Sequence, residues 1–198
     1  MESSSEIRSF IAIELSAEAR EQLRVLEDSL RAKLNMPASW VKPDNCHLTL
    51  KFLGNVTQQK LAQVAAALNA VAQETSPFYL ELDGLGVFPN IRHPRILWVG
   101  LAGDISQLLI LHKNIDHALS RLGFSSENRP FSPHLTLCRI REDLPTAVCA
   151  AISNSLSTIR AEDKARFQVV ELTLFKSELT PGGPIYTRLI IAACGKEQ

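Results

Sequence analysis

Hydrophobic and polar positions along the chain follow two rhythms, a period of two over short runs and a period of three to four over longer ones. Residues 9–15 (SFIAIEL) form a β-branched and aromatic run of strand length, with Ser16 placed to cap a helix and Glu18 in its first turn. Over residues 17–34, Ala19, Leu23, Leu26, Leu30 and Leu34 recur at helical spacing and leave Arg20, Glu27, Asp28 and Arg31 to water. Pro37 and Pro43 bracket an irregular approach to a second strand at 47–53. There alternation puts His47, Thr49 and Lys51 on one face and Leu48, Leu50 and Phe52 on the other.

Thr57 caps a second predicted helix, whose stripe is Leu61, Val64, Ala65, Leu68, Val71 and Ala72 before Pro77. Strands are predicted at 78–82 and 95–101. Asp104 and Gln107 form a capping-box pattern ahead of a third helix with Ile105, Leu108, His112, Ile115, Leu119 and Leu122 inward, and Gly123 stops it. The strand at 134–140 repeats the earlier pattern, with His134 and Thr136 opposite Leu135 and Leu137. A fourth helix spans 144–160, with Val148, Ala151, Ile152, Leu156 and Ile159 inward. Two long strands, 167–179 and 185–193, are joined by the turn signal Thr180-Pro-Gly-Gly-Pro.

This order is irregular for a doubly wound sheet and contains no long linker, so an α+β fold is predicted, with residues 1–198 as a single domain. His134 follows His47 by 87 residues, nearly half the 198-residue chain. Each motif leads into a helix and further strand, as a duplicated lobe requires. The expected architecture is bilobal, with two antiparallel sheets related by a pseudo-two-fold, facing a central groove with helices outside.

Charge changes the picture little. Lys plus Arg and Asp plus Glu are 21 each, so any attraction for anions must be local. Cys46, Cys138, Cys149 and Cys194 lack zinc-knuckle or disulfide-framework spacing and read as reduced thiols in a cytoplasmic protein. No apolar run approaches the ~20 residues of a membrane span, and residues 1–5 lack the basic-then-apolar order of a signal peptide.

The repeated His-x-Thr is the candidate chemistry. Two imidazoles titrating near neutrality can take one proton and give another, as displacement at phosphorus requires, and two threonine hydroxyls can donate to phosphate oxygens. The segments VKPDNCHLTLKFLG (41–54) and RPFSPHLTLCRI (129–140) resemble the two signature motifs of the 2H phosphoesterase superfamily. The similar branch is that of the RNA 2′,3′-cyclic phosphodiesterases, also called 2′-5′ RNA ligases of the LigT and ThpR type. RSFIAIEL (8–15), GVFP (86–89) and RILWVG (95–100) add to that resemblance.

The resemblance implies hydrolysis of 2′,3′-cyclic phosphate ends of RNA, or of small cyclic nucleotides, to 2′-phosphates, with reversible 2′-5′ ligation as a side activity. It makes His47 the proton donor, His134 the proton acceptor, and Thr49 and Thr136 the phosphate holders. Arg139 stacks on a nucleobase, with Phe10 a candidate for the other face. Strict alternation would turn Arg139 toward the core, so the strand must end or bulge near Cys138. No cofactor, metal or membrane is implied, and a monomer is expected.

His112 on an apolar stripe reads as a packed histidine and His117 as a surface one. Arg92, His93 and Arg95 form a basic loop near the RNA backbone or simply in solvent. Lys42 and Lys51 add positive potential beside His47, and Tyr186 either rims the groove or packs in a strand. The rival readings are a two-histidine phosphodiesterase for another nucleotide, such as ADP-ribose cyclic phosphate or a 2′-5′ oligonucleotide, an RNA-end binding module with little turnover, and, distantly, a zinc hydrolase.

Overall fold

The computed structural model describes residues 6–126, 130–141, 143–158 and 166–195. The expectations for residues 1–5, Arg129 and Ile159 lie outside them. The chain runs β1 (Ile7–Glu14), α1 (Ala17–Lys33), β2 (Ala38–Trp40), a 3₁₀ turn (Pro43–Asn45), β3 (His47–Val56), α2 (Gln58–Gln73), β4 (Phe78–Phe88), β5 (Ile96–Gly103), α3 (Ile105–Ser120), β6 (His134–Ile140), α4 (Thr146–Thr158), β7 (Arg166–Val169), β8 (Glu171–Thr180) and β9 (Gly183–Ala193).

Two antiparallel sheets result: a four-stranded one ordered β3-β1-β8-β9 and a five-stranded one ordered β2-β6-β5-β4-β7. Helices α2 and α3 pack on the first sheet, whereas α1 and α4 pack on the second, so the two lobes exchange elements. The fold is the expected bilobal α+β arrangement, its sheets facing a groove with the helices outside.

Ser16 and Thr57 cap α1 and α2 as predicted, accepting from Ala19 N and Lys60 N. Asp104 does not cap α3 with its side chain; its carboxylate accepts from Tyr79 N at 2.8 Å instead, tying the helix start to β4. The predicted strand over 167–179 is two strands in different sheets, β7 against β4 and β8 against β1. The break falls at Val170, which is 45% exposed. The segment before β3 contains the short strand β2, which the two prolines had obscured.

The helix stripes bury their apolar residues, Leu23 and Leu30 fully, each contributing roughly 1.5–3 kcal/mol by burial. Two ionic side chains contradict their predicted places. Lys51 is 3% exposed, its ammonium bonded to Asp116 and to the Ser125 carbonyl, so it adds no potential to the groove. Glu27 sits on the inward stripe of α1 at 1% exposure; Oε2 meets Arg31 Nη2 at 3.4 Å and Oε1 has no partner among the described residues. Burial lifts its carboxyl to about 7, against the pull of Arg31.

A carboxyl raised in the folded state stabilises fully below its ordinary range, and that contribution disappears as pH climbs through 7. Glu27→Gln should therefore gain stability relative to the unsubstituted chain between pH 4.5 and 8, by on the order of 2 kcal/mol at pH 8. Urea melts of both proteins at pH 4.5 and 8 measure this; an equal offset at the two pH values would show that Glu27 does not titrate there.

Candidate active site

Each histidine opens a strand that must bury leucines behind it and keep a polar face in front. His47 and Thr49 pair with Glu14 and Ala12 of β1, and His134 and Thr136 pair with Gly100 and Trp98 of β5. Pairs directly opposite in an antiparallel ladder share a face, so Phe10, Ala12 and Glu14 line the groove with His47. Neither histidine strand continues in simple alternation. Leu50 has no partner between Thr49 and Lys51, and Leu137 has none between Thr136 and Cys138. These are β-bulges, 87 residues apart, and each reverses the faces of the residues beyond it.

The reversal delivers Arg139 to the groove, exposed, while Cys138 goes to the core at 0%. In β3 it buries Lys51 and turns Phe52 outward, 66% exposed, opposite to the face predicted for each. Phe10 is also placed differently from expectation. Its ring clusters with those of His47, centroids 4.7 Å apart, and Phe175 at 5.1 Å, and only 3% of it is exposed. It walls the imidazole and has no open face for a nucleobase.

The strands meet near the histidines, where the Cys46 thiol donates to the Thr136 carbonyl at 3.8 Å. Both rings are braced by the main chain two residues earlier. His134 Nδ1 is 2.7 Å from Ser132 O, and since a carbonyl only accepts, Nδ1 carries the hydrogen and the neutral ring's lone pair is on Nε2. His47 has the matching hydrogen bond to the Asn45 main chain.

Their surroundings differ. His47 stands among Phe10, Phe175 and Tyr186, the last edge-on at 5.1 Å. Burial pushes it down to about 4, although the Asn45 hydrogen bond and the nearby Glu14 charge favour the protonated ring. His134 meets the edge of Phe88 at 5.0 Å and lies 6.1 Å from Trp98. The Trp98 indole N–H is buried with no partner among the described residues. Gly86 makes room for that ring, since a Cβ there would lie 2.1 Å from it.

A cavity of about 410 Å³ opens beside His47, its walls including Glu14, Arg20, Asp44, Tyr186 and Arg188. Glu14 accepts from Arg188 at 2.6 and 2.8 Å and from Thr173 at 3.0 Å. Burial raises the Glu14 carboxyl, but these bonds outweigh it and leave it below its ordinary value. Glu14, Phe175, Arg188, Phe88 and Trp98 had not been singled out. For Glu14 a signal existed, because the alternation of SFIAIEL puts it on the face of Phe10.

The other polar candidates lie apart. His112 stacks on Phe131 at 4.0 Å, a packed histidine as predicted. Arg92 and His93 are exposed on a turn held by Asn90, and Arg95 pairs with Asp143 at 2.5 Å. Lys42 is exposed and Tyr186 rims the groove. Among the described residues no group of three or more His, Cys, Asp and Glu side chains could hold a metal ion, and no helix is long and apolar enough to cross a membrane.

Two facing antiparallel sheets, each presenting a bulged His-x-Thr strand, define a duplicated α+β protein of the 2H phosphoesterase class. The family model described as LigT like Phosphoesterase matches residues 13–98 and 99–186, one segment for each motif, and the chain belongs to that family. It is 31% identical to the RNA 2′,3′-cyclic phosphodiesterase of Aquifex aeolicus over 183 residues, 91% of this chain and 94% of that one. The crystal structure of TT0787 of Thermus thermophilus superposes with a TM-score of 0.81 at 27% identity, covering 97% of this chain and all of that one. Escherichia coli LigT complexed with 3′-AMP gives 0.73 at 31% identity, covering 96% and 98%.

The His47 ring should stay neutral across pH 5–8 and titrate with a midpoint near 4 by NMR. Glu14→Gln, which removes a neighbouring negative charge, should lower that midpoint further. A depressed imidazole favours the folded state above its ordinary range, so this contribution fades as pH falls from about 6.5 toward 4. An observed midpoint near 6.5 would mean that water reaches the ring despite its aromatic walls.

Proposed function

We propose that this protein hydrolyses 2′,3′-cyclic phosphate ends of RNA or of small nucleotides to 2′-phosphates by two-histidine acid–base catalysis. The observation that carries the reading is the symmetric bracing of His47 and His134 on facing sheets, each held by the main chain two residues earlier and followed by a threonine on the same face. The relatives named RNA 2′,3′-cyclic phosphodiesterase support the substrate class.

In this mechanism His134 takes the proton of water through Nε2 while the oxygen attacks phosphorus, and His47 gives a proton to the departing 3′-oxygen. Thr49 and Thr136 donate to the non-bridging oxygens, and Arg139 lies against the base. Phe10 keeps the His47 ring upright. Burial holds His47 neutral in the free protein, so it acts as the acid only when the phosphate anion has drawn a proton onto it. Binding of a cyclic nucleotide at pH 7 is then accompanied by proton uptake. The same path, with a ribose 5′-hydroxyl in place of water, forms a 2′-5′ linkage.

His47→Ala and His134→Ala should each reduce turnover of cyclic-phosphate-ended RNA by roughly 10²-fold or more. Thr49→Ala and Thr136→Ala should cost less, because each removes one neutral donor among several. Exhaustive EDTA treatment should leave turnover intact; loss restored by Zn²⁺ or Mg²⁺ would refute the mechanism. A substrate with sulfur bridging at the 3′ position needs no protonation of its leaving group, so it should recover much of the activity of His47→Ala and little of that of His134→Ala. Rescue of the His134 variant instead would exchange the two roles. Tight binding of the RNA end without conversion would leave a binding module.

A further inference from the structure

Phe52 is the one phenylalanine or tryptophan with an exposed ring; the other seven phenylalanines and both tryptophans are buried or half-buried. The Leu50 bulge puts it there, on the face of His47 and Thr49 and directly across β1 from Phe10. Its ring lies 6.1 Å from that of Phe10, so an aromatic strip runs from Phe52 through Phe10 to His47, Phe175 and Tyr186. Arg8 and Asn55, both exposed, are the next pair along this face.

The position has a counterpart. Phe52 is five residues beyond His47, and Arg139 is five beyond His134, each just past its bulge. The two lie at opposite ends of the groove. Lys51, beside Phe52, bonds the carbonyl of Ser125 on the segment leading into β6, whereas Arg139 pairs with Ser39 on the segment leading toward β3. A flat surface therefore stands on each side of the histidine pair, a guanidinium on one and an open phenyl ring on the other. Both are planar groups of the kind on which bases stack irrespective of their identity.

We infer that Phe52 is the stacking platform for a second nucleobase, that of the nucleoside joined through its 5′-oxygen on the far side of the phosphate from Arg139. The inference rests on the two-histidine reading above. It makes a 2′-5′-linked dinucleoside monophosphate a substrate with a base on each platform. In its cleavage the 3′-hydroxyl attacks phosphorus and the P–O5′ bond breaks. The hydroxyl proton passes to one histidine, and the other supplies a proton to the leaving 5′-oxygen. A 2′,3′-cyclic phosphate and a 5′-hydroxyl nucleoside result, with no other reactant.

The test compares the full chain with Phe52→Ala and Phe52→Trp on two substrates, a 2′-5′-linked dinucleoside monophosphate and a mononucleoside 2′,3′-cyclic phosphate. Phe52→Ala should lower kcat/KM for the dinucleoside by about tenfold, mainly through KM, as loss of one stacked base does. It should change the mononucleoside reaction by less than about twofold, and Phe52→Trp should restore the dinucleoside reaction. Equal losses on both substrates, or no loss on the dinucleoside, would overturn the platform. If the unsubstituted protein converts neither substrate, the catalytic reading fails by itself. Equilibrium binding of the dinucleoside then decides: weaker binding by Phe52→Ala upholds the platform and unchanged binding overturns it.

Discussion

The groove depends on one extra residue just after the threonine of each His-x-Thr motif. A strand with a strict period of two cannot show His, Thr and the residue five beyond the His on the same face, because five is odd. Leu50 and Leu137 drop out of register with β1 and β5, and the ladders resume with faces exchanged. Leu48, Leu50, Leu135 and Leu137 all remain in the core, and Phe52 and Arg139 both reach the groove. Without the bulges the core would have to accept a guanidinium.

The exchange has a cost in β3 that β6 avoids. At the position facing inward after the bulge, β6 carries Cys138, which packs as a small apolar group whose thiol burial pushes up to about 12. β3 carries Lys51, whose buried charge is tolerable only because Asp116 and the Ser125 carbonyl meet it. The ion pair fastens the middle of β3 to α3, and the hydrogen bond to Ser125 ties it to the lead-in of β6. Glu27, by contrast, is only half satisfied, and burial moves its carboxyl instead.

A pseudo-symmetric pair of motifs need not give a symmetric pair of histidines. Both rings have a main-chain brace two residues earlier, but His47 is enclosed by three aromatic rings and His134 has two beside it. Desolvation acts on the charged form only, so the fuller enclosure lowers the basicity of His47. One copy of the repeated tetrapeptide thereby takes its proton affinity from residues on β1, β8 and β9, none of them adjacent to it in sequence.

The alternation and the helical stripes alone determined most of the elements, the duplication and the two His-x-Thr faces, because these follow from local periodicity and from a repeat visible in the chain. Reasoning by type of residue went astray where a polar side chain lies on an inward stripe, as with Glu27, and where one run of strand character serves two sheets, as around Val170. Arg139 was legible only as a conditional: it needed a bulge, whose place depends on the partner strand's ladder. The same device in β3, and with it the outward turn of Phe52, could not be read from alternation. Phe10 was on the correct face, yet Phe175 and His47 close over it from strands at opposite ends of the chain. Burial of a ring and the proton affinity of an imidazole are properties of everything packed around them, and only the tertiary structure brings those neighbours together.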